Sequence, residues 1–95
     1  MSYSEKYVEQ KLATEAKKMG GLAVKFVSPG LDGVPDRLIL FPGGKVAFAE
    51  LKAPGKKLRP LQEKRKQTLE GLGFRVYVID NVEKIGGILH EIQTA

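Results

Sequence analysis

The sequence predicts an α/β domain, a mixed four-stranded sheet with helices on its faces. Three observations carry this. Segments of helical period and segments rich in β-branched and aromatic residues follow one another as helix, strand, strand, strand, helix, strand, helix. Pro42-Gly43-Gly44 separates two apolar runs by a turn, so those runs pair as a hairpin. The passage from Lys45 to Ile79 reads strand, helix, strand, which calls for a right-handed parallel crossover. At 95 residues the chain has room for one hydrophobic core, and residues 1–95 are expected to form one domain.

The first helix is expected over Ser4–Met19. Ser2 or Ser4 can cap it, Ser2 and Glu5 have capping-box spacing, and Gly20-Gly21 stops it. Val8, Leu12, Ala16 and Met19 recur on one side as its buried stripe. Glu9 lies at the edge of that stripe, and Glu5, one turn earlier, reads as an ordinary solvated glutamate. Leu22–Val27 alternates and is a strand. Residues 28–35, from Ser28 to Pro35, form a loop whose glycines permit a close approach to a ligand; it is expected to be flexible and to face substrate. Asp32 in that loop is either a further ligand or turn chemistry.

The strands Asp36–Phe41 and Lys45–Lys52 contain the apolar runs Leu38-Ile39-Leu40-Phe41 and Val46-Ala47-Phe48-Ala49. Neither run alternates, so both strands are expected to be covered on both faces. A basic loop, 53–60, leads into a helix over Leu61–Leu72, with Pro60 in its first turn. Its apolar side, Leu58, Leu61, Thr68, Leu69 and Leu72, is interrupted at Arg65. Gly71-Leu72-Gly73 ends that helix. Phe74–Ile79 is a strand, Asp80-Asn81 a turn and cap, and Val82, Ile85, Leu89 and Ile92 form the apolar face of a last helix. His90, the only histidine, has no evident partner carboxylate and reads as a surface residue.

The chemistry concentrates in Gly33-Val34-Pro35-Asp36-Arg37 and Glu50-Leu51-Lys52. Residues two apart on a strand share a face, so Glu50 and Lys52 point the same way. The hairpin brings Asp36, at the start of one strand, near Glu50 at the end of the other. Two carboxylates so placed raise each other's pKa unless a cation neutralises them. Hard oxygen ligands suit Mg²⁺, which binds one or two carboxylates together with substrate phosphate. Such a cation polarises a phosphoryl oxygen and acidifies a bound water, and the Lys52 ammonium can hold that water or stabilise charge on the phosphate. Asp36, Glu50 and Lys52 are thus a set suited to phosphodiester hydrolysis. The same Glu-x-Lys pattern also occurs as a solvated ion pair of little consequence.

Charge points to the same substrate. With 16 Lys+Arg against 11 Asp+Glu the net charge is +5, as expected of a domain that attracts polyanions. The excess is local, because Lys56, Lys57, Arg59, Lys64, Arg65 and Lys66 fall just after the Glu-x-Lys strand. Lys56, Lys57, Arg59 and Lys66 are candidates to track a nucleic-acid backbone, which gives affinity and salt dependence without base specificity. Arg37 faces away from Asp36 and either binds phosphate or pairs with an acidic residue. No cysteine is present, which excludes disulfides and a thiolate zinc site and fits a reducing cytoplasm, that of the host if the gene belongs to a phage. Met1-Ser2-Tyr3-Ser4-Glu5 contains no apolar run, so no secretory signal or membrane span is expected.

The motif pair resembles that of the PD-(D/E)xK nucleases, and more closely the VRR-Nuc branch, from about Tyr3 to Leu89. The resemblance implies a restriction-endonuclease-like fold and a Mg²⁺- or Mn²⁺-dependent endonuclease acting on DNA. In that reading Asp36 and Glu50 bind the metal and Leu51 offers its backbone carbonyl. Lys52 assists the attacking water. Glu9 matches the family's first-helix glutamate as a metal or metal-water contact, and Gln62 matches its glutamine, facing the site to position water or phosphate. Without the resemblance Gln62 reads as a surface residue. Stand-alone phage members imply a homodimer active on branched DNA such as four-way junctions, and the last helix around Ile85, Leu89 and Ile92 is one candidate for the pairing surface. Other classes remain open: a catalytically silent DNA-binding module, a simpler nicking or flap nuclease, or an interaction protein whose Glu-x-Lys is incidental.

Overall fold

The computed structural model describes residues 4–95. The alternative cap Ser2 and the start of the family resemblance at Tyr3 lie outside the described residues. Helix α1 spans Glu5–Lys18, and the Ser4 hydroxyl caps it by accepting from the Tyr7 N–H at 3.1 Å. Glu5 in its first turn and Lys17 and Lys18 in its last complement the helix dipole. Gly21 then lets the chain fold back. A Cβ there would lie 2.5 Å from the Leu40 carbonyl oxygen and 2.6 Å from the Phe41 ring.

Strand β1 covers Leu22–Lys25, β2 Arg37–Phe41, β3 Lys45–Leu51 and β4 Arg75–Ile79. The sheet order is β1-β2-β3-β4; β1, β2 and β3 are antiparallel neighbours and β4 runs parallel to β3. The expected mixed four-stranded sheet and its crossover through helix α2 (Pro60–Gly71) are therefore present. β1 is shorter than its apolar stretch. Phe26 still donates its N–H to the Asp36 carbonyl at 2.8 Å, but Val27 has already turned out to 78% exposure. A short 3₁₀ turn, Val82–Lys84, is capped by Asn81 and leads into helix α3, Ile85–Gln93.

The register sorts the sheet's side chains into two faces. One carries Ala23, Ile39, Phe41, Ala47, Ala49, Leu51 and Ile79, which pack with Val8, Leu12 and Ala16 of α1 and Ile85, Leu89 and Ile92 of α3 in one buried cluster. The small alanines at 47 and 49 are fully buried there, as close helix packing requires. The apolar row of α3 is used up in this core, so it offers no pairing surface.

The opposite face differs from expectation. Its rows run Leu22–Leu40–Val46 and Val24–Leu38–Phe48–Val76. Leu22, Val24 and Val46 remain 51%, 39% and 38% exposed, so this face is covered only in part. The reason lies in α2, which has no buried residue and sits toward β4, with Leu61 and Leu72 exposed. Arg65 interrupts its apolar side, and what remains is too narrow to cover β1 and β2. Among the described residues no helix is long and apolar enough to cross a membrane.

Candidate active site

The acidic pair stands at the end of this half-open face. Arg37 pairs with Ala49, so one further step of the register sets Asp36 opposite Glu50. Asp36 is fixed from its side chain, whose Oδ2 accepts from the Leu51 N–H at 2.9 Å. Loop 28–35 delivers it and is itself held. Gly33 adopts φ +79°, and a Cβ on it would lie 2.8 Å from the Leu61 carbonyl oxygen. The Arg65 Nε–H donates to the Asp32 carbonyl at 2.8 Å. The expected flexible loop is thus docked against the start of α2, and Asp32 contributes its backbone there.

Glu50 is 4% exposed and Lys52 8%, both at the end of β3 on the face of Phe48. Lys52 Nζ lies 3.4 Å from Glu50 Oε2. Gln62, in the first turn of α2, donates from Nε2 to the same Oε2 at 2.8 Å. The other oxygen, Oε1, is buried without a partner. Burial and then the neighbouring Asp36 push the Glu50 carboxyl up from 4.5 to about 7, against the pull of Lys52 and with a smaller push from Glu5. A buried, unpartnered carboxylate oxygen beside a second carboxylate is costly unless a cation meets it.

The structure brings Asp36, Glu50, Leu51, Lys52 and Gln62 together. Glu9 and Arg37 it brings to each other. Arg37 points to the α1 side, where Nη2 pairs with Glu9 Oε1 and Nη1 donates to the Ala23 carbonyl at 2.7 Å. Alternation explains this, since Arg37 follows Asp36 by one residue and so faces the other way. Of the two readings of Arg37, the geometry gives the acidic partner. Glu9 is occupied by that pair, and among the described residues no three or more carboxylate or histidine groups gather as a metal cage. Lys56, Lys57 and Arg59 are exposed on the loop beside the site. Lys66 pairs with Glu70 at 3.0 Å.

Two contributors escape sequence reasoning. The charge of Glu5 reaches Glu50, although Glu5 reads as merely solvated; its place one turn before Glu9 is the available signal. Arg65 pins the loop that carries Asp36, an interaction across 33 positions that local pattern does not reveal.

The donor set fits a hard divalent cation. Asp36 and Glu50 would hold it through oxygen, with remaining positions left to water and phosphate, as Mg²⁺ requires.

No protein-family model matches the chain. A curated relative, "Putative nuclease p44" of Acyrthosiphon pisum secondary endosymbiont phage 1, is 49% identical over 77 residues, covering 81% of this chain and 83% of the relative. A solved structure described as a VRR_NUC domain superposes with a TM-score of 0.85 at 23% identity, over 93% of this chain and 97% of that one. The shared fold and the close phage relative, added to the paired carboxylates and lysine at the end of the hairpin, place the chain in the VRR-Nuc family of nucleases.

Proposed function

We propose that this protein is a metal-dependent endonuclease that hydrolyses phosphodiester bonds in DNA. The observation that carries this reading is Glu50 Oε1, buried and unpartnered next to Asp36, with the Lys52 ammonium on the other oxygen. Mg²⁺ or Mn²⁺ bound by Asp36 and Glu50 supplies a Lewis acid and lowers the pKa of water. Lys52 orients the water and offsets charge gathering on the phosphate. Lys56, Lys57 and Arg59 hold the backbone of the substrate beside the site. Lys66 is tethered to Glu70 and joins them only by leaving it. The absence of cysteine supports a reducing cytoplasm, that of the host for a phage gene.

The substrate in this reading is branched DNA, cut by a homodimer. One chain carries one such site, and resolving a four-way junction takes paired nicks in opposing strands. The half-open sheet face supports pairing with a second copy. Its exposed residues Leu22, Val24 and Val46 are uncharged in a chain of net charge +5, so two copies meet there without opposing like charges. Light scattering over a concentration series tests the pairing, with Val24→Glu expected to give a monomer. Incubation with duplex, flap, splayed and immobile four-way-junction DNA, with cuts mapped on labelled strands, tests the substrate. Paired, symmetric cuts in the junction are expected. A monomeric mass with single unpaired cuts would leave a nicking or flap nuclease. Binding without cutting in Mg²⁺ and Mn²⁺ would leave a silent DNA-binding module.

A further inference from the structure

Gln62 does more in this structure than face the site. Its Nε2 donates to Glu50 Oε2 at 2.8 Å, while its Oε1 accepts from the backbone N–H of Arg59 at 2.9 Å. Arg59 is the N-cap of α2 and the last residue of the basic loop. A side-chain amide can present either end to a neighbour. The Arg59 N–H can only donate, so it captures the amide oxygen and leaves the NH₂ turned toward Glu50. Lys52 meets Oε2 as well, at 3.4 Å. Both donors therefore sit on one oxygen of Glu50, and the other, Oε1, is left bare.

We infer that Gln62 is a positioning residue. It links the backbone of the basic loop to the Glu50 carboxylate, fixes that carboxylate with Oε1 free, and makes its orientation depend on the conformation of the loop at Arg59. This rests on Glu50 being a metal-binding carboxylate, and it adds a route from the DNA-contacting loop to that carboxylate. When Lys56, Lys57 and Arg59 take hold of phosphates, the same backbone that carries them holds the amide. Contacts of this kind orient a ligating carboxylate, and their loss typically costs about 10–100-fold in metal affinity.

The backbone of Arg59, at φ −72° and ψ 157°, permits a test that separates the N–H from the side chain. These angles suit proline, and they also suit a residue that precedes Pro60. Arg59→Ala removes the guanidinium and keeps the N–H. Arg59→Pro removes both. The two variants should lose DNA affinity equally when assayed with EDTA. Only Arg59→Pro should also weaken Mn²⁺ binding, by roughly tenfold as read from the electron-paramagnetic-resonance signal of free Mn²⁺.

Gln62→Met, which keeps the length and lacks the donor, should weaken Mn²⁺ binding to the same extent. It provides the answer if Arg59→Pro melts early. A second readout needs neither metal nor cleavage. In the wild type the Gln62 side-chain NH₂ should give a shifted, exchange-protected pair of NMR resonances, and in Arg59→Pro these should collapse toward those of an exposed glutamine. Equal Mn²⁺ affinity across wild type, Arg59→Pro and Gln62→Met would overturn the inference, and so would unchanged Gln62 resonances. A wild type that binds Mn²⁺ and shows the protected amide yet cuts no DNA would instead overturn the nuclease reading and leave the positioning role standing.

Discussion

The two faces of the one sheet are built from the same four strands and do opposite things. Toward α1 and α3, alternate residues of every strand enter a closed core, with Ile39, Leu51, Ile79, Leu89 and Ile92 at no more than 1% exposure. Toward α2, the residues in between remain half open, and at the end of that face sit Asp36, Glu50 and Lys52. On the closed face the charges are paired or lie at its rim: Arg37 meets Glu9 at the edge of the core, and the exposed Arg75 meets Glu91 of α3. At the end of the open face one carboxylate oxygen, Glu50 Oε1, is buried without a partner, a cost that a bound cation would offset. Stability and chemistry are thus divided by the two-residue period of a strand.

The sharpest way to break this division is chemical. Lys52→Ala and Asp36→Asn should each lower the cleavage rate by roughly 10²–10³-fold, the range for removing a positioned charge stabiliser. DNA binding should stay within a few-fold of wild type, since the basic loop is untouched. Wild-type cleavage by Lys52→Ala would remove the lysine from the mechanism.

Next in size is packing. Leu89→Ala, on the closed face, should cost about 3 kcal/mol of unfolding free energy through reduced burial and a cavity. Val24→Ala, on the open face, should cost less than about 1 kcal/mol when measured at a dilution that keeps the chain monomeric, because that side chain is only partly buried, at 39% exposure. Urea unfolding of the two variants measures the contrast, and equal costs would show that both faces are packed alike.

The pH dependence is smaller and has a definite sign. The carboxyl of Glu50 titrates at 4.5 when unconstrained and at about 7 in the folded chain. Between these values the folded state holds a proton that the unfolded state has released. Stability from this group is therefore present at low pH and declines as pH rises from about 4.5 through about 7. In EDTA the thermal midpoint should fall over that window, and Glu50→Gln, neutral throughout, should remove this part of the slope. A slope unchanged by the substitution would assign it to other groups.

The smallest effect concerns the loop. Replacing Lys56, Lys57 and Arg59 together should reduce the slope of log K against log salt for duplex binding by at most about 2.7, or 0.9 for each phosphate no longer neutralised. An unchanged slope would place the DNA elsewhere.

Much of this arrangement is legible in the sequence. The Pro42-Gly43-Gly44 turn and the spacing of Asp36 and Glu50 fix which residues of the hairpin oppose one another, and the structure pairs the strands in that register. Alternation also turns Arg37 away from Asp36. What the sequence does not carry is which residue waits on the far side. Whether Glu9 meets a site group or Arg37 depends on how α1 lies across the sheet, a relation between elements 28 positions apart. The same holds for Arg65 and the loop at Asp32. The half-open face departs from expectation for a different reason. An apolar run shows that a strand can be buried on both sides, whereas actual burial depends on whether the covering helix is wide enough. The α2 helix, with Arg65 in its apolar side and no buried residue, is not.

In the proposed reaction Asp36 and Glu50 act through a bound divalent cation, and every role given to Lys52 and Gln62 depends on it. This metal dependence is tested most directly by cleavage of four-way-junction DNA with protein stripped in EDTA and verified metal-free, followed by titration with Mg²⁺ or Mn²⁺. No cleavage before addition is expected, with activity returning as metal is added and, for Asp36→Asn, returning only to a level lower by roughly 10²–10³-fold. Full cleavage by the metal-free protein would contradict the account.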